Sequence, residues 1–206
     1  HVAMAPCGTR CLSLSSSFDM EDCSLRVWDV ARDAHVKTVY LQHSAPVWAV
    51  HGHFETGWFL TGSEDGTCTL VSITSGTSTP VYQGSTVVKT VYMSPTGVGV
   101  CGCANGTVVV LDCTAWPPCI RHRVLAGNSA ITVIMIDEGS NPNLYSRSNT
   151  DGGLTDHPTS CWPVYCGLCL VGSENRSIYL LNLQSGCVID RWTPQTRSFA
   201  LQHPPL

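Results

Sequence analysis

The chain has 206 residues, 43% hydrophobic and 13% charged, which sets it apart from disordered chains and supplies enough apolar surface for a sizeable packed unit. A formal charge of -4 and an isoelectric point near 6.0, with no run of five or more basic residues, exclude the electrostatic footprint of a nucleic-acid binder. No apolar stretch reaches the roughly 18 to 20 residues of a membrane helix, and His1 to Arg10 lack the charged-then-apolar layout of a secretion signal.

Strand signals dominate the whole length. Short runs rich in Val, Ile, Thr, Leu and Tyr are bounded by Gly, Pro, Asn, Asp or Ser, and no long stretch carries a 3.6-residue apolar period. The expected fold is therefore all-β. A first unit, residues 2–41, holds strands Val2–Ala5, Arg10–Ser15, Leu25–Val30 and Val36–Leu41. The second, 43–84, holds Val47–Phe54, Trp58–Ser63, Cys68–Ile73 and Pro80–Gln83. Residues 85–126 give Val87–Met93, Val98–Cys103, Val108–Cys113 and Ile120–Leu125. A fourth unit, 128–194, gives Ile131–Asp137, Tyr165–Gly172, Ile178–Leu183 and Val188–Trp192, and 195–206 reads as the start of a further one. Runs such as Val108-Val109-Val110-Leu111 are apolar on both faces, so both faces must be covered by other sheets.

Each second and third strand is joined by an Asp or Asn, a turn residue, and Ser or Thr: Asp22-Cys23-Ser24, Asp65-Gly66-Thr67, Asn105-Gly106-Thr107 and Asn175-Arg176-Ser177. Asp-Gly and Asn-Gly favour tight hairpins because both residues tolerate positive φ. The turns recur at intervals of 43, 40 and 70 residues, and a period of about 40 to 45 residues is that of a four-stranded propeller blade. The long interval contains an excess between strands one and two of the fourth unit, about Glu138 to Pro163. That segment is rich in Ser, Asn, Gly, Pro and Asp and reads as a surface loop insertion.

These residues resemble the WD-repeat family of β-propellers. The first unit carries the family dipeptide, Trp28-Asp29, while the matching positions elsewhere are Val71-Ser72, Leu111-Asp112 and Leu181-Asn182. The resemblance implies four four-stranded blades of a larger, seven-bladed ring, the chain being a fragment of a longer protein. In the family an Asp of this turn, a His before the first strand, a Ser or Thr of the second strand and the Trp tie a blade together. The second unit offers Asp65, His43 and Thr61 or Ser63, and the first offers Asp22, Trp28 and Ser13 or Ser15. Units three and four keep only Asn105 and Asn175 with apolar packing. The order Thr9–Ser13, then His43–Val50, also looks like the WD-repeat cofactors of ubiquitin-specific proteases, which would make such a deubiquitinase the partner.

Catalysis has no visible carrier. No Gly-x-Ser-x-Gly elbow, phosphate loop, dinucleotide fingerprint or His-Glu-x-x-His helix is present, so neither an enzyme nor a cofactor is expected. Cys166 and Cys169 have the spacing of a metal knuckle, and Cys113, Cys119 and His122 lie close in sequence. Residues three apart on a strand point to opposite faces, however, so no metal site is expected. His51 and His53 alternate on one strand and read as structural. Asn105-Gly-Thr107 and Asn175-Arg-Ser177 match a glycosylation acceptor but are already explained as turns.

Twelve cysteines leave two readings open. Cys11, Cys68, Cys101, Cys103, Cys166 and Cys169 fall inside strands among Val and Leu, as reduced and buried thiols of a cytoplasmic or nuclear protein would. The alternative is a secreted or luminal disulfide-bonded domain, possibly part of a propeller enzyme with groups converging on a central channel. The favoured function is a non-catalytic scaffold, since the family resemblance implies flat faces that dock other proteins. Glu21, Glu64 and Glu174 precede three of the four turns and would ring one face with negative charge, suited to a basic peptide. Trp48 and Lys89 occupy equivalent sites at the start of first strands, where an aromatic could anchor a partner.

Overall fold

The computed structural model describes residues 2–16, 23–137 and 167–194. The insertion at 138–163, the further unit at 195–206, Glu21, Asp22 and Cys166 lie outside the described residues. Within them the chain forms sixteen strands and no helix. Four antiparallel sheets, each with its strands in chain order, are β1–β4 (Val2–Met4, Arg10–Ser16, Cys23–Asp29, Ala34–Tyr40), β5–β8 (Val47–His53, Trp58–Ser63, Thr67–Ser72, Thr77–Gln83), β9–β12 (Val88–Met93, Val98–Cys103, Thr107–Asp112, Cys119–Leu125) and β13–β16 (Ile131–Ile136, Leu168–Ser173, Ile178–Asn182, Cys187–Trp192).

Two expectations need correction. β8 begins at Thr77, three residues before the expected Pro80, and carries that proline in its middle. As the outer edge of its sheet it tolerates a residue without an N–H, because the missing donor faces away from β7. The first hairpin also differs from the other three. Ser15 pairs with Ser24 and Ser16 with Cys23, so Cys23 and Ser24 are strand residues, not turn residues. The other three turns share one geometry. Asp65, Asn105 and Asn175 each accept the backbone N–H two residues on, at 2.8, 3.0 and 3.0 Å. The residue between has positive φ in each: Gly66, Gly106 and Arg176.

A second repeated device sits at the opposite end. The positions matching Asp29 all place a side-chain oxygen under the turn to the fourth strand. Asp29 accepts from Arg32 N–H, Ser72 from Ser75 N–H, Asp112 from Thr114 and Ala115 N–H, and Asn182 from Gln184 and Ser185 N–H. Only the oxygen is needed for this, which explains why Ser and Asn substitute for Asp. The neighbouring Trp position behaves differently. Val71, Leu111 and Leu181 are buried there, filling with aliphatic carbon the space that Trp28 occupies in the first sheet.

The sheets lie face to face in chain order, with three apolar clusters between them. Leu12, Leu25 and Val39 meet Val47, Phe59 and Val71; Leu60, Cys68 and Leu70 meet Val88, Val91 and Cys101; Val100, Val108 and Val110 meet Ile131, Ile134 and Tyr179. At the two later junctions the sheets meet over a glycine. A Cβ on Gly62 would lie 2.6 Å from Val88 Cγ1, and one on Gly102 would lie 2.5 Å from Ile131 Cγ2. A first strand thus seats its branched side chain on the bare backbone of the preceding sheet's second strand.

All ten cysteines among the described residues are free thiols. Burial pushes Cys113 and Cys169 up to about 12, so neither offers a thiolate at neutral pH. Cys7 is exposed, and a hydrogen bond from Thr9 lowers its pKa. Labelling the native protein with a thiol reagent is therefore expected to modify Cys7 first, then Cys119 and Cys187. Cys68, Cys101, Cys103 and Cys169 are expected to react only on unfolding, and rapid native-state labelling of those four would contradict the packing.

Candidate protein-docking surface

The functional candidates cluster where the turns after the second strands meet the linkers entering the first. Each linker is clamped to its own turn through the backbone. Glu64 N–H donates to Pro46 O, Ala104 N–H to Val87 O, and Glu174 N–H to Ala130 O, all at 2.9 Å. Directly after each linker the first strand bulges. Val47 pairs with Ser63 but Ala49 with Gly62; Val88 with Cys103 but Thr90 with Gly102; Ile131 with Ser173 but Val133 with Gly172. Trp48, Lys89 and Thr132 are the extra residues. A bulge re-aims its side chain, and here that brings two expected residues and an acid together.

Trp48 Nε1 donates to Glu64 Oε2 at 3.2 Å, and Lys89 Nζ lies 4.2 Å from the centre of the Trp48 ring. The equivalence of Trp48 and Lys89 was legible in the sequence, but their contact across two sheets was not. The arrangement presents a half-exposed indole flanked by a carboxylate and an ammonium. Glu174 is exposed at the matching turn of the fourth sheet, with Ala104 between the two acids in sheet order.

Beneath this surface lies a buried polar chain. His43 Nδ1 is 2.8 Å from Thr67 Oγ1, whose hydroxyl donates to Asp65 Oδ1, and His43 Nε2 is 2.8 Å from Thr61 Oγ1. Asp65 Oδ2 lies 3.4 Å from His43 Nδ1 and accepts Ser44 N–H at 2.8 Å. Burial lowers the His43 pKa against the opposing pull of Asp65. Because the Thr67 hydroxyl donates to Asp65, the neutral imidazole donates Nδ1–H to Thr67 and leaves Nε2 as an acceptor facing the Thr61 hydroxyl, which also has Thr69 O within 3.3 Å. For Asp65, burial raises the pKa, but hydrogen bonds from the Thr67 hydroxyl and the Ser44 and Thr67 amides outweigh it and leave the carboxyl below its ordinary value.

The Thr61, His43 and Asp65 order has the outline of a nucleophile, base and orienting acid. Thr61 is fully buried, however, and no substrate carbon can reach it. These contacts tie the linker, the turn and the second strand to one another. Ser63, the other candidate, instead donates to Ala45 O at 2.9 Å. In the first sheet Trp28 Nε1 donates to Ser13 Oγ at 2.8 Å. The third and fourth sheets replace the histidine by Gly84 and Gly127, and the hydroxyls of Tyr82 and Tyr179 lie against those glycines.

His51 and His53 are also structural. His51 stacks on Tyr92 at 4.3 Å and accepts Met93 N–H at 3.1 Å, while His53 Nε2 lies 2.8 Å from Met93 O. Together they clamp β5 to the first strand of the next sheet. His122 is spent on Gln184 O at 2.9 Å. Among the described residues no group of three or more His, Cys, Asp or Glu side chains is placed to hold a metal ion.

Residues 35–72 match the family model of the WD domain, G-beta repeat. The match runs from β4 to the end of β7, so the sequence repeat takes the outer strand of one sheet and the first three of the next. No curated protein matches the chain. The family match and four antiparallel four-stranded sheets of common build together support a WD-repeat β-propeller family, whose domains generally bind other proteins.

Proposed function

We propose that the chain is a non-catalytic scaffold that docks partner proteins on the face bearing the turns at Asp65, Asn105 and Asn175. The observation that carries this reading is the cluster of Trp48, Glu64 and Lys89. Exposed indoles anchor interfaces because they bury a large area while keeping a polar tip satisfied. Two acids of this face, Glu64 and the exposed Glu174, stand against the one ammonium of Lys89, which favours a partner segment with basic residues. The outward face of the fourth sheet supports membership of a larger ring. Leu170 and Ile178 are 42% and 46% exposed, whereas their counterparts Val100 and Val108 are fully covered by the next sheet.

A narrower form of the reading makes the partner a ubiquitin-specific protease. It rests on the sequence order of Thr9–Ser13 and His43–Val50, and activation of such a protease by the purified chain is its test.

Trp48→Ala combined with Glu64→Lys is expected to weaken partner capture roughly 30-fold, the effect of losing about 2 kcal/mol at a hot spot, without lowering the melting temperature. Both residues are at the rim, so folding is spared. Undiminished binding by the folded double variant would end the reading.

A further inference from the structure

At the end opposite the docking face, successive sheets are separated by clefts. One, about 210 Å³, lies between the first and second sheets and is lined by Arg10, Val27, Lys37, Phe54, Ile73 and Thr74. Its equivalent between the second and third sheets is about 400 Å³ and is lined by residues including Trp58, Leu70, Met93, Thr114 and Trp116. The difference in size has a cause in the sequence.

Lys37 pairs with Val27 on β4, and the same register position on the later fourth strands holds Thr79, His122 and Asp190. Between the first two sheets Lys37 Nζ donates to Thr74 O at 2.7 Å. Between the third and fourth His122 Nε2 meets Gln184 O at 2.9 Å. Thr74 and Gln184 are both two residues beyond the position of Asp29. A glycine lets each bridge lie flat, since a Cβ on Gly76 would be 3.0 Å from Lys37 Cε and one on Gly186 would be 2.5 Å from His122 Cγ.

At the middle junction both halves of this device are changed. Thr79 is too short to reach across, and the turn is two residues longer, carrying Trp116-Pro117-Pro118 in place of a single positive-φ residue. Trp116 is 77% exposed, so its indole stands at the mouth of the cleft and does not fill it. The floor is apolar, formed by Trp58, Leu70 and Met93, and none of the lining side chains is charged.

We propose that this cleft binds a lysine side chain of a partner protein, in the way that Lys37 occupies the equivalent place one junction earlier. The aliphatic stem lies on Leu70 and Met93, as long cationic side chains do when their heads stay near water. The ammonium reaches the Thr114 carbonyl, the counterpart of Thr74 O, and the Trp116 indole adds a cation–π contact. This site is independent of the Trp48 cluster, which lies at the other end of the sheets.

The test titrates the full-length protein with acetyl-Gly-Lys-Gly-amide and with the norleucine peptide of the same length, following the Trp116 indole resonance. Saturable binding of the lysine peptide, at least five-fold tighter than the norleucine peptide, is expected. Trp116→Ala should weaken it several-fold. Thr79→Lys should abolish it by supplying the bridge from within and should leave the melting temperature unchanged or higher. Trp48→Ala should leave it intact, which separates this site from the docking face. Equal affinity for the two peptides, or lysine binding unaffected by Thr79→Lys in the folded variant, would overturn the proposal.

Discussion

Gly102→Val is expected to destabilise the fold by about 3 kcal/mol, lowering the melting temperature by roughly 6 to 12 °C. The added Cβ would sit 2.5 Å from Ile131 Cγ2 and 2.8 Å from Thr90 Cγ2, so β13 must lift off the third sheet. The residues that would then lose contact include Val100, Val110, Ile134 and Tyr179, which form one apolar cluster. Because the shortest of these contacts is with Ile131 Cγ2, which alanine lacks, Ile131→Ala should relieve the clash in part, leaving Ile131 Cβ at 2.7 Å and Thr90 Cγ2 at 2.8 Å. The double variant is expected to be at least about 1 kcal/mol more stable than the sum of the two single effects. Additive losses in thermal or denaturant unfolding would mean that the sheets do not meet there. Gly167→Ala is the control, since nothing lies within 4 Å of the added carbon.

His43→Ala should cost about 2 to 4 kcal/mol, because it removes an imidazole that Thr61 and Thr67 both use and leaves polar groups buried without it. The same histidine gives the fold a pH dependence of known sign. Its folded pKa is lowered by burial, so below about 6.5 the unfolded chain takes up a proton that the folded chain resists. Stability from this group is complete above 6.5 and declines as the pH falls towards the folded value. Asp65 and Asp112 add a second decline. Burial raises both, but their hydrogen bonds outweigh it, including those of Arg121 and Thr114 to Asp112, and hold them below 3.8. Their contribution is present above 3.8 and is lost as the pH falls through the folded values. Unfolding free energies measured from pH 8 to pH 3 should show both limbs in the native sequence. His43→Ala should lack the first limb alone, and a wild-type profile that is flat between pH 7 and 5 would contradict the buried neutral imidazole.

The sheets were legible because their punctuation is local. Asp65-Gly66 and Asn105-Gly106 specify a hairpin within three residues, and once two turns are placed the alternation of strand and turn follows. Such local signals misled at the first hairpin, where Asp22 stands six residues before Trp28 as Asp65 does before Val71. There the two strands pair two residues further, through Ser15–Ser24 and Ser16–Cys23, where the other hairpins have already turned. Pro80 misled for a different reason, because whether a strand tolerates proline depends on edge position, which is a tertiary fact.

The candidate site was half legible. Trp48 and Lys89 could be matched by counting, and His43, Asp65 and Thr61 by their place in a repeat. Their contacts depend on a bulge and on the spacing between sheets, neither of which is encoded within a window of sequence. The exchange of Lys37 and His122 for Thr79 becomes meaningful only when β4, β8 and β12 are aligned by register.

The claim on which all else depends is that successive sheets lie face to face, with β9 seated on Gly62 and β13 on Gly102 of the sheet before. Proton–proton contacts in the native protein test it most directly. Strong cross-peaks from Val88 γ-methyl to Gly62 Hα and from Ile131 γ-methyl to Gly102 Hα are predicted, since a carbon placed on either glycine would touch those methyls. Absence of both, with the methyls instead showing contacts only within their own sheets, would contradict the account.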